Sequence, residues 1–227
     1  MIVLGLDASS DAAAVGIVAD GVLLGEYTIN NGKNHSVKLL PMVEELLRQT
    51  GIAFSEIDAY ACGVGPGSFT GVRIGVATAK GFAQSYEKPV IPVSSLQILA
   101  ENIRAYHGLR VACVHARCDE VYCAAYDHAG EAVLEPSVMT AQELSAYIQD
   151  KECMLCGDGA LLLEGLGEQT ILASQGAGVI RGGAVAELGY RLLEAGKQAH
   201  YTEVSPLYLR ASQAEREYEA RQGRTIK

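Results

Sequence analysis

The hydrophobic pattern of the first half of the chain predicts strands that lead into helices. Apolar runs of strand length lie at 2–6, 13–19, 22–29, 59–64 and 90–93. Asp20-Gly21, between the second and third runs, is typical of a hairpin turn. Helices are predicted over 36–50 and 96–106. On the first of these helices, Gly51 follows the last turn and the apolar positions at helical spacing are Val37, Leu40, Val43, Leu46 and Leu47.

The segment 64–75 is the most distinctive part of the chain, because four glycines and a proline separate a strand from a helix there. Ser68 and Thr70 are both candidate N-caps of this helix, which is predicted to end near Tyr86. Small residues recur every four positions along it, at Gly71, Gly75, Ala79 and Ala83. Residues with this spacing share a face, and each glycine costs about 1 kcal/mol relative to alanine. The smooth face therefore lets a phosphate, the chain's own sheet or another protein approach closely.

The second half repeats this order of elements about 108 residues further on. Its predicted strands lie at 110–116, 120–127, 131–136 and 153–156, and its predicted helices at 141–149, 160–166 and 184–193. Such a duplication predicts a mixed α/β fold with two duplicated subdomains, the layout of the actin-like ATPases. The predicted limits are 1–106 for the first subdomain, 107–212 for the second and 213–227 for a charged tail.

The amino-acid composition limits the classes of protein to which the chain can belong. Hydrophobic residues make up 49% and charged residues 20% of the 227 positions, as in ordinary globular proteins. The chain lacks an apolar run of the roughly 18 residues that a membrane span needs and a basic N-terminal signal region, so we expect a cytoplasmic protein without a membrane partner. The net charge of −9 provides little neutralisation of phosphate groups, so contact with RNA is expected to be indirect.

The six cysteines are expected to be structural thiols. Five lie in apolar runs, where a free cysteine behaves as a small core residue. Cys153 and Cys156 form a CxxC pair, but the pair lies in a predicted strand and no second pair completes a zinc site. Neither a redox motif nor a metal site is therefore predicted.

Asp7, Ser9 and Ser10 follow the first strand, where an actin-like ATPase has Asp-x-Gly and binds phosphate. Here Ser9 replaces the glycine, and the additional acid Asp11 follows. One interpretation is a small ATPase or kinase, or a remnant site for ATP or ADP, at Asp7, Ser9 and Ser10. The favoured interpretation is that Asp7 closes an Asx-turn at the end of the strand.

Several motifs together resemble the TsaB family, formerly called YeaZ, the dimerisation subunit of the bacterial tRNA threonylcarbamoyladenosine machinery. They are Leu6-Asp7-Ala8-Ser9-Ser10, 35–41, 65–75, Ser94-Ser95-Leu96 and 206–210, of which 65–75 is the most specific. The resemblance implies an actin-like fold and pairing with the larger paralogue TsaD and the ATPase TsaE. It also implies that threonylcarbamoyl transfer to tRNAs reading ANN codons occurs on TsaD, with this chain as a non-catalytic activator that requires no cofactor.

The residues give little support for catalysis in this chain. The resemblance implies that TsaD holds a metal through His-x-x-x-His, whereas none of the five histidines here lies four positions from another. A metallopeptidase would need a His-Glu-x-x-His helix, which the sequence lacks. The glycine spacing around Ser68 also differs from that of a serine hydrolase elbow. No catalytic residue and no metal ligand is therefore predicted.

An interface along the glycine-rich helix is the interpretation that the resemblance favours. Phe69 is predicted to be an anchor beside a groove floored by small residues, with Arg73 reaching a partner carboxylate. The predicted interface residues are Phe69, Gly71, Val72, Arg73, Gly75, Val76, Ala79 and Ala83. A homodimer and the heterodimer with TsaD are expected to compete for this surface. The alternative is that the smooth face packs on the chain's own sheet.

Overall fold

The computed structural model describes residues 1–32 and 34–210, so the predicted tail at 213–227 lies outside the described residues. The strands are β1 Ile2–Asp7, β2 Ala12–Ala19, β3 Val22–Asn30, β4 Ala59–Gly63, β5 Val90–Val93, β6 Leu109–Arg117, β7 Glu120–Tyr126, β8 Ala132–Thr140, β9 Cys153–Cys156 and β10 Thr170–Leu172. The α-helices are α1 His35–Thr50, α2 Phe69–Tyr86, α3 Ser95–Glu101, α4 Ala141–Ile148 and α5 Gly182–Glu194.

Two five-stranded sheets share one topology, which confirms the predicted duplication. The first sheet has the order β3-β2-β1-β4-β5 and the second, read from the same side, β8-β7-β6-β9-β10. In each sheet the first three strands are antiparallel and the later two are parallel to the central strand. Replacing β1 by β6, β2 by β7 and so on converts one order into the other. The mixed α/β fold is therefore built from two copies of one unit.

Helices and sheets alternate in five layers. Side chains of α1 and α2 pack with one face of the first sheet, and α4 packs with the outer face of the second. Helices α3 and α5 lie between the sheets, where their side chains form a shared core with both. Successive residues of a strand point to opposite faces, so alternate residues of β1 enter different cores: Val3 lies in the central core, and Leu4 in the core under α1 and α2.

The central helices cross the predicted subdomain boundary. Helix α3 belongs to the first half of the sequence but contacts β6 and β7 of the second sheet, whereas α5 comes after the second sheet and packs on β1 and β2. The limits 1–106 and 107–212 therefore follow the order of the strands but not the packing of these two helices. Division of the chain between 106 and 107 would separate α3 from β6 and β7, and α5 from β1 and β2.

Several element predictions need correction. The helix predicted over 96–106 ends at Glu101, where Asn102 donates side-chain hydrogen bonds to the carbonyls of Ala177 and Val179. The helix predicted over 160–166 is instead a 3-10 helix at Asp158–Leu162, followed by Gly165 in a left-handed conformation with φ of 63°. The short strand β10 was not predicted. These elements depend on distant contacts or on few residues, so the local hydrophobic pattern carries little information about them.

In the described part of the chain, every helix is too short or too polar to span a bilayer.

Candidate functional site

Asp7 ends β1 and is fully buried. The Ser9 amide donates to its Oδ1 at 2.8 Å, the Ser9 hydroxyl lies 2.9 and 3.0 Å from the two carboxylate oxygens, and the Ser95 hydroxyl lies 2.7 Å from that of Ser9. Burial raises the pKa of Asp7 to about 6, and the hydrogen bonds from Ser9 oppose the rise. The Asp7 carboxyl thus makes the Asx-turn that the sequence favoured, and its oxygens are engaged within the chain.

A cleft of about 580 Å³ opens between the two sheets beside this turn. Ser9 and Ser10 line it from the first half, and the carboxylates of Asp11 and Asp158 also lie along it. The described residues of its lining include no Lys or Arg. Nucleotide phosphates bind where cations and free backbone N–H groups neutralise them. The described lining therefore offers no Lys or Arg to the phosphates of ATP or ADP, and the interpretation that Asp7, Ser9 and Ser10 hold a nucleotide stays a prediction.

The described residues contain no group of three or more His, Cys, Asp or Glu side chains placed to hold a metal ion. Ser68, considered above for a hydrolase elbow, is the N-cap of α2, where its Oγ accepts a hydrogen bond from the Gly71 amide at 3.2 Å. Cys153 and Cys156 are buried free thiols in β9, as predicted, and Cys118 is the exposed cysteine, in the turn between β6 and β7. Ser68 thus caps a helix, and the two thiols of β9 are buried within the fold.

The smooth face of α2 packs inside the chain, which corrects the predicted interface. Six of the eight predicted interface residues are buried: Gly71, Val72, Gly75, Val76, Ala79 and Ala83. A Cβ on Gly71 would lie 1.9 Å from the carbonyl oxygen of Ala8, so the loop after β1 occupies the space beside this glycine. The groove predicted beside Phe69 is therefore filled by the chain's own backbone, and the alternative of packing on the chain's own sheet is correct for these six residues.

The opposite face of α2 is open, and Phe69 and Arg73 lie on it. The Phe69 ring stacks on Tyr208 with centroids 5.1 Å apart, and the Arg73 guanidinium carbon lies 3.7 Å from the centre of the Phe69 ring. Arg73 Nε also donates to the Tyr208 hydroxyl at 2.8 Å. Phe69 is 38% and Tyr208 46% exposed. Aromatic and arginine side chains held rigid at a surface are the types that dominate binding energy at interfaces.

Small residues continue this open face along α2. Ala77 and Gly81 follow Phe69 and Arg73 at intervals of four residues, and both are exposed. A Cβ on Gly81 would meet nothing within 4 Å, so no contact in the described part of the chain requires a glycine there. A glycine in the middle of a helix costs about 1 kcal/mol relative to alanine. We use the name outer face of α2 for Phe69, Arg73, Ala77 and Gly81.

Helix α1, which packs beside α2, also exposes apolar side chains. Val37 is 66% and Leu40 46% exposed, while Leu39 and Met42 of the same helix are buried. Helical spacing places Val37 and Leu40 among the apolar positions of α1 and does not identify them, or Tyr208, as surface residues. The number of apolar residues on α1 could have indicated this exposure, because it exceeds the number that one helical face can bury. Val37 and Leu40 are thus exposed apolar side chains on the helix that packs beside α2.

Two duplicated sheets of this order, with helices exchanged between them, define an actin-like fold. A ROK hexokinase structure from Thermus thermophilus shares this fold, with a TM-score of 0.52, 15% identity, and coverage of 86% of this chain and 100% of that chain. The structure titled "YeaZ from Pseudomonas aeruginosa" is more similar, with a TM-score of 0.80, 29% identity, and coverage of 92% and 99%.

Sequence comparison adds the family. The model described as "TsaD: tRNA N6-adenosine threonylcarbamoyltransferase" matches residues 23–157. The Escherichia coli (strain K12) "tRNA threonylcarbamoyladenosine biosynthesis protein TsaB" is 32% identical over 225 residues, which cover 92% of this chain and 95% of that protein. The chain belongs to the family that this model describes and, within it, to the TsaB (YeaZ) proteins, as its motifs predicted.

Proposed function

We propose that this chain takes part in tRNA threonylcarbamoyladenosine biosynthesis as a non-catalytic scaffold and activator subunit. It forms a heterodimer with the paralogue TsaD, and the ATPase TsaE is recruited to that complex. TsaD then transfers threonylcarbamoyl to adenosine 37 of tRNAs that read ANN codons. Alone, the chain forms a homodimer through the same surface. The name of the Escherichia coli relative and the family match support the pathway.

The outer face of α2 is the observation that carries this proposal. Phe69 and Arg73 are held by Tyr208 in one arrangement, so a partner that binds them does not first have to order them. Ala77 and Gly81 leave the helix backbone uncovered, which permits a second helix to come close. Val37 and Leu40 add apolar area on the neighbouring helix. Exposed apolar residues grouped on two packed helices are typical of a protein–protein interface.

The charge of the chain supports an indirect role towards tRNA. Its 18 basic and 27 acidic residues provide too little positive charge for the phosphate contacts that dominate affinity for nucleic acids. The cleft between the two sheets is lined by acidic and uncharged residues. A subunit that acts by binding a catalytic partner fits both features.

The proposal is tested by light scattering coupled to size-exclusion chromatography, on the chain alone and mixed with its cognate TsaD. We expect a homodimer that converts to a one-to-one heterodimer. Replacing Phe69 by alanine or Arg73 by glutamate is expected to weaken the heterodimer more than tenfold, because each change removes a central anchor. Circular dichroism of each variant checks that it is folded.

Val133→Ala is the matched control, because Val133 is 54% exposed on β8 in the second sheet, away from α2. It removes a comparable apolar side chain and is expected to leave the heterodimer unchanged. If folded Phe69→Ala and Arg73→Glu both bind TsaD as the unchanged chain does, the outer face of α2 is not the interface. A chain that remains monomeric and does not bind TsaD would contradict the scaffold role itself.

A further inference from the structure

Arg110, at the start of β6, is the largest fully buried side chain among the described residues and is 1% exposed. Its Nη2 donates to the carbonyl oxygen of Asp127, in the turn between β7 and β8. Its Nε and Nη1 are buried without a hydrogen-bond partner among the described residues. Buried donors are almost always satisfied, and a buried charge without a counter-ion is strongly unfavourable. The guanidinium of Arg110 therefore lacks some of the hydrogen-bond partners that a buried arginine normally has.

A second unsatisfied donor lies on the same cavity. The Ser94 hydroxyl, just before α3, is buried, makes no hydrogen bond of ordinary length among the described residues and has Tyr126 as a polar neighbour. Ser94 and Arg110 both line a cavity of about 460 Å³, which α3, the end of α5 and the β7–β8 turn enclose. The residues that carry these three unsatisfied atoms thus lie on two separate elements that border one cavity.

The charged groups around this cavity favour an anion next to Arg110. Arg104, Arg191 and Lys197 also line it, and its carboxylates are Glu101, Glu131 and Glu135. Glu101 is already paired with Arg191 and lies 4.0 Å from Arg104. Burial, together with repulsion from Arg104 and Arg191, lowers the pKa of Arg110, although attraction from Glu101 and Asp127 opposes it. An arginine nevertheless remains charged at neutral pH.

We propose that this cavity binds a small oxyanion, a phosphate or a carboxylate group of a small molecule, through Arg110 and Ser94. The anion would accept hydrogen bonds from Arg110 Nε or Nη1 and from the Ser94 hydroxyl, which supplies the missing partners and the counter-charge together. The site lies on the far side of α3 from the cleft and does not include the outer face of α2. It is independent of the proposed scaffold function, so either can fail without the other.

The test is a nuclear magnetic resonance titration of the ¹⁵N-labelled full chain with inorganic phosphate and, separately, with acetate. Sodium chloride keeps the ionic strength constant. We expect the Arg110 Nε–H signal to shift in a saturable way with at least one anion, and the two titrations distinguish phosphate from carboxylate recognition. Arg110→Met is expected to weaken binding at least tenfold, and Ser94→Ala several-fold. Arg48→Met, which removes an arginine exposed on α1, is expected to bind as the unchanged chain does.

Two results would overturn the proposal. One is the absence of a saturable shift with either anion, and the other is retention of the response in folded Arg110→Met. If Arg110→Met does not fold, Ser94→Ala decides: unchanged affinity in that variant contradicts the site, and weakened affinity supports it.

Discussion

The two faces of α2 carry the same kind of residue for different reasons. On the inner face, Gly71 is required because the carbonyl of Ala8 occupies the place of its side chain. On the outer face, a Cβ on Gly81 would meet no atom within 4 Å in the described chain. A glycine pattern in a helix therefore indicates close approach only where a neighbouring backbone is found. The inner glycine is explained by folding, whereas no contact among the described residues requires the outer one.

The largest effect is expected at the inner face. Gly71→Ala would place a Cβ 1.9 Å from the Ala8 carbonyl oxygen, and both groups are backbone-bound and cannot easily move. We expect a loss of about 3–5 kcal/mol in the free energy of unfolding, measured by urea denaturation. Gly75→Ala is the control, because its Cβ would lie 3.6 Å from the nearest atom and helix propensity favours alanine. Equal effects of the two substitutions would show that the inner face is not closed at Gly71.

The loop after β1, which packs against the inner face of α2, is held by Asp7. The stability of the fold should therefore depend on pH. The pKa of Asp7 is raised from 3.8 to about 6 in the folded chain, so the folded state favours the protonated carboxyl. Its contribution to stability is present below pH 4 and is lost as pH rises through about 6, by at most about 3 kcal/mol.

Asp7→Asn removes this titration and keeps an oxygen for the Ser9 amide. The free energy of unfolding of Asp7→Asn, relative to that of the unchanged chain, should therefore rise between pH 4 and pH 8. Urea denaturation at both pH values measures it. Glu45→Gln is the control, because Glu45 is an exposed carboxylate paired with Arg48 on α1 and its pKa is lowered, not raised. A difference between Asp7→Asn and the unchanged chain that stays constant with pH would show that Asp7 is ionised without cost in the fold.

The local pattern predicted every strand except β10 and both ends of α2, but not which face of that helix is buried. The hairpin at Asp20-Gly21 and the cap at Gly51 follow from backbone conformations with positive φ that few residues adopt, so they are readable from sequence. Along α2, residues at 71, 75, 79 and 83 and residues at 69, 73, 77 and 81 both recur every four positions. The choice between these faces depends on the Ala8 backbone, which is distant in sequence.

The outer cluster was only partly predictable for the same reason. Phe69 and Arg73 were identified because they belong to the glycine-rich segment, whereas Tyr208 lies 135 residues after Arg73 and has no local signal. Arg110 likewise appears in the sequence as the first residue of an apolar strand, and only the fold places it beside Ser94. Contacts between distant segments determine these sites, and hydrophobic periodicity does not encode them.

The smallest expected change in the free energy of unfolding is at Gly81. On this outer face the change is a gain, whereas at Gly71 on the inner face it is a loss. Gly81→Ala adds a methyl group in open space and should raise the free energy of unfolding of the monomer by about 0.5–1 kcal/mol, because alanine is the better helix former. Urea denaturation under conditions where the chain is monomeric measures this gain. Gly81→Leu should also remain folded but weaken the complex with TsaD, because the larger side chain would hold a partner helix away. If Gly81→Leu binds TsaD with unchanged affinity, no backbone approaches Gly81 in the complex, and the outer glycine needs another explanation than the interface.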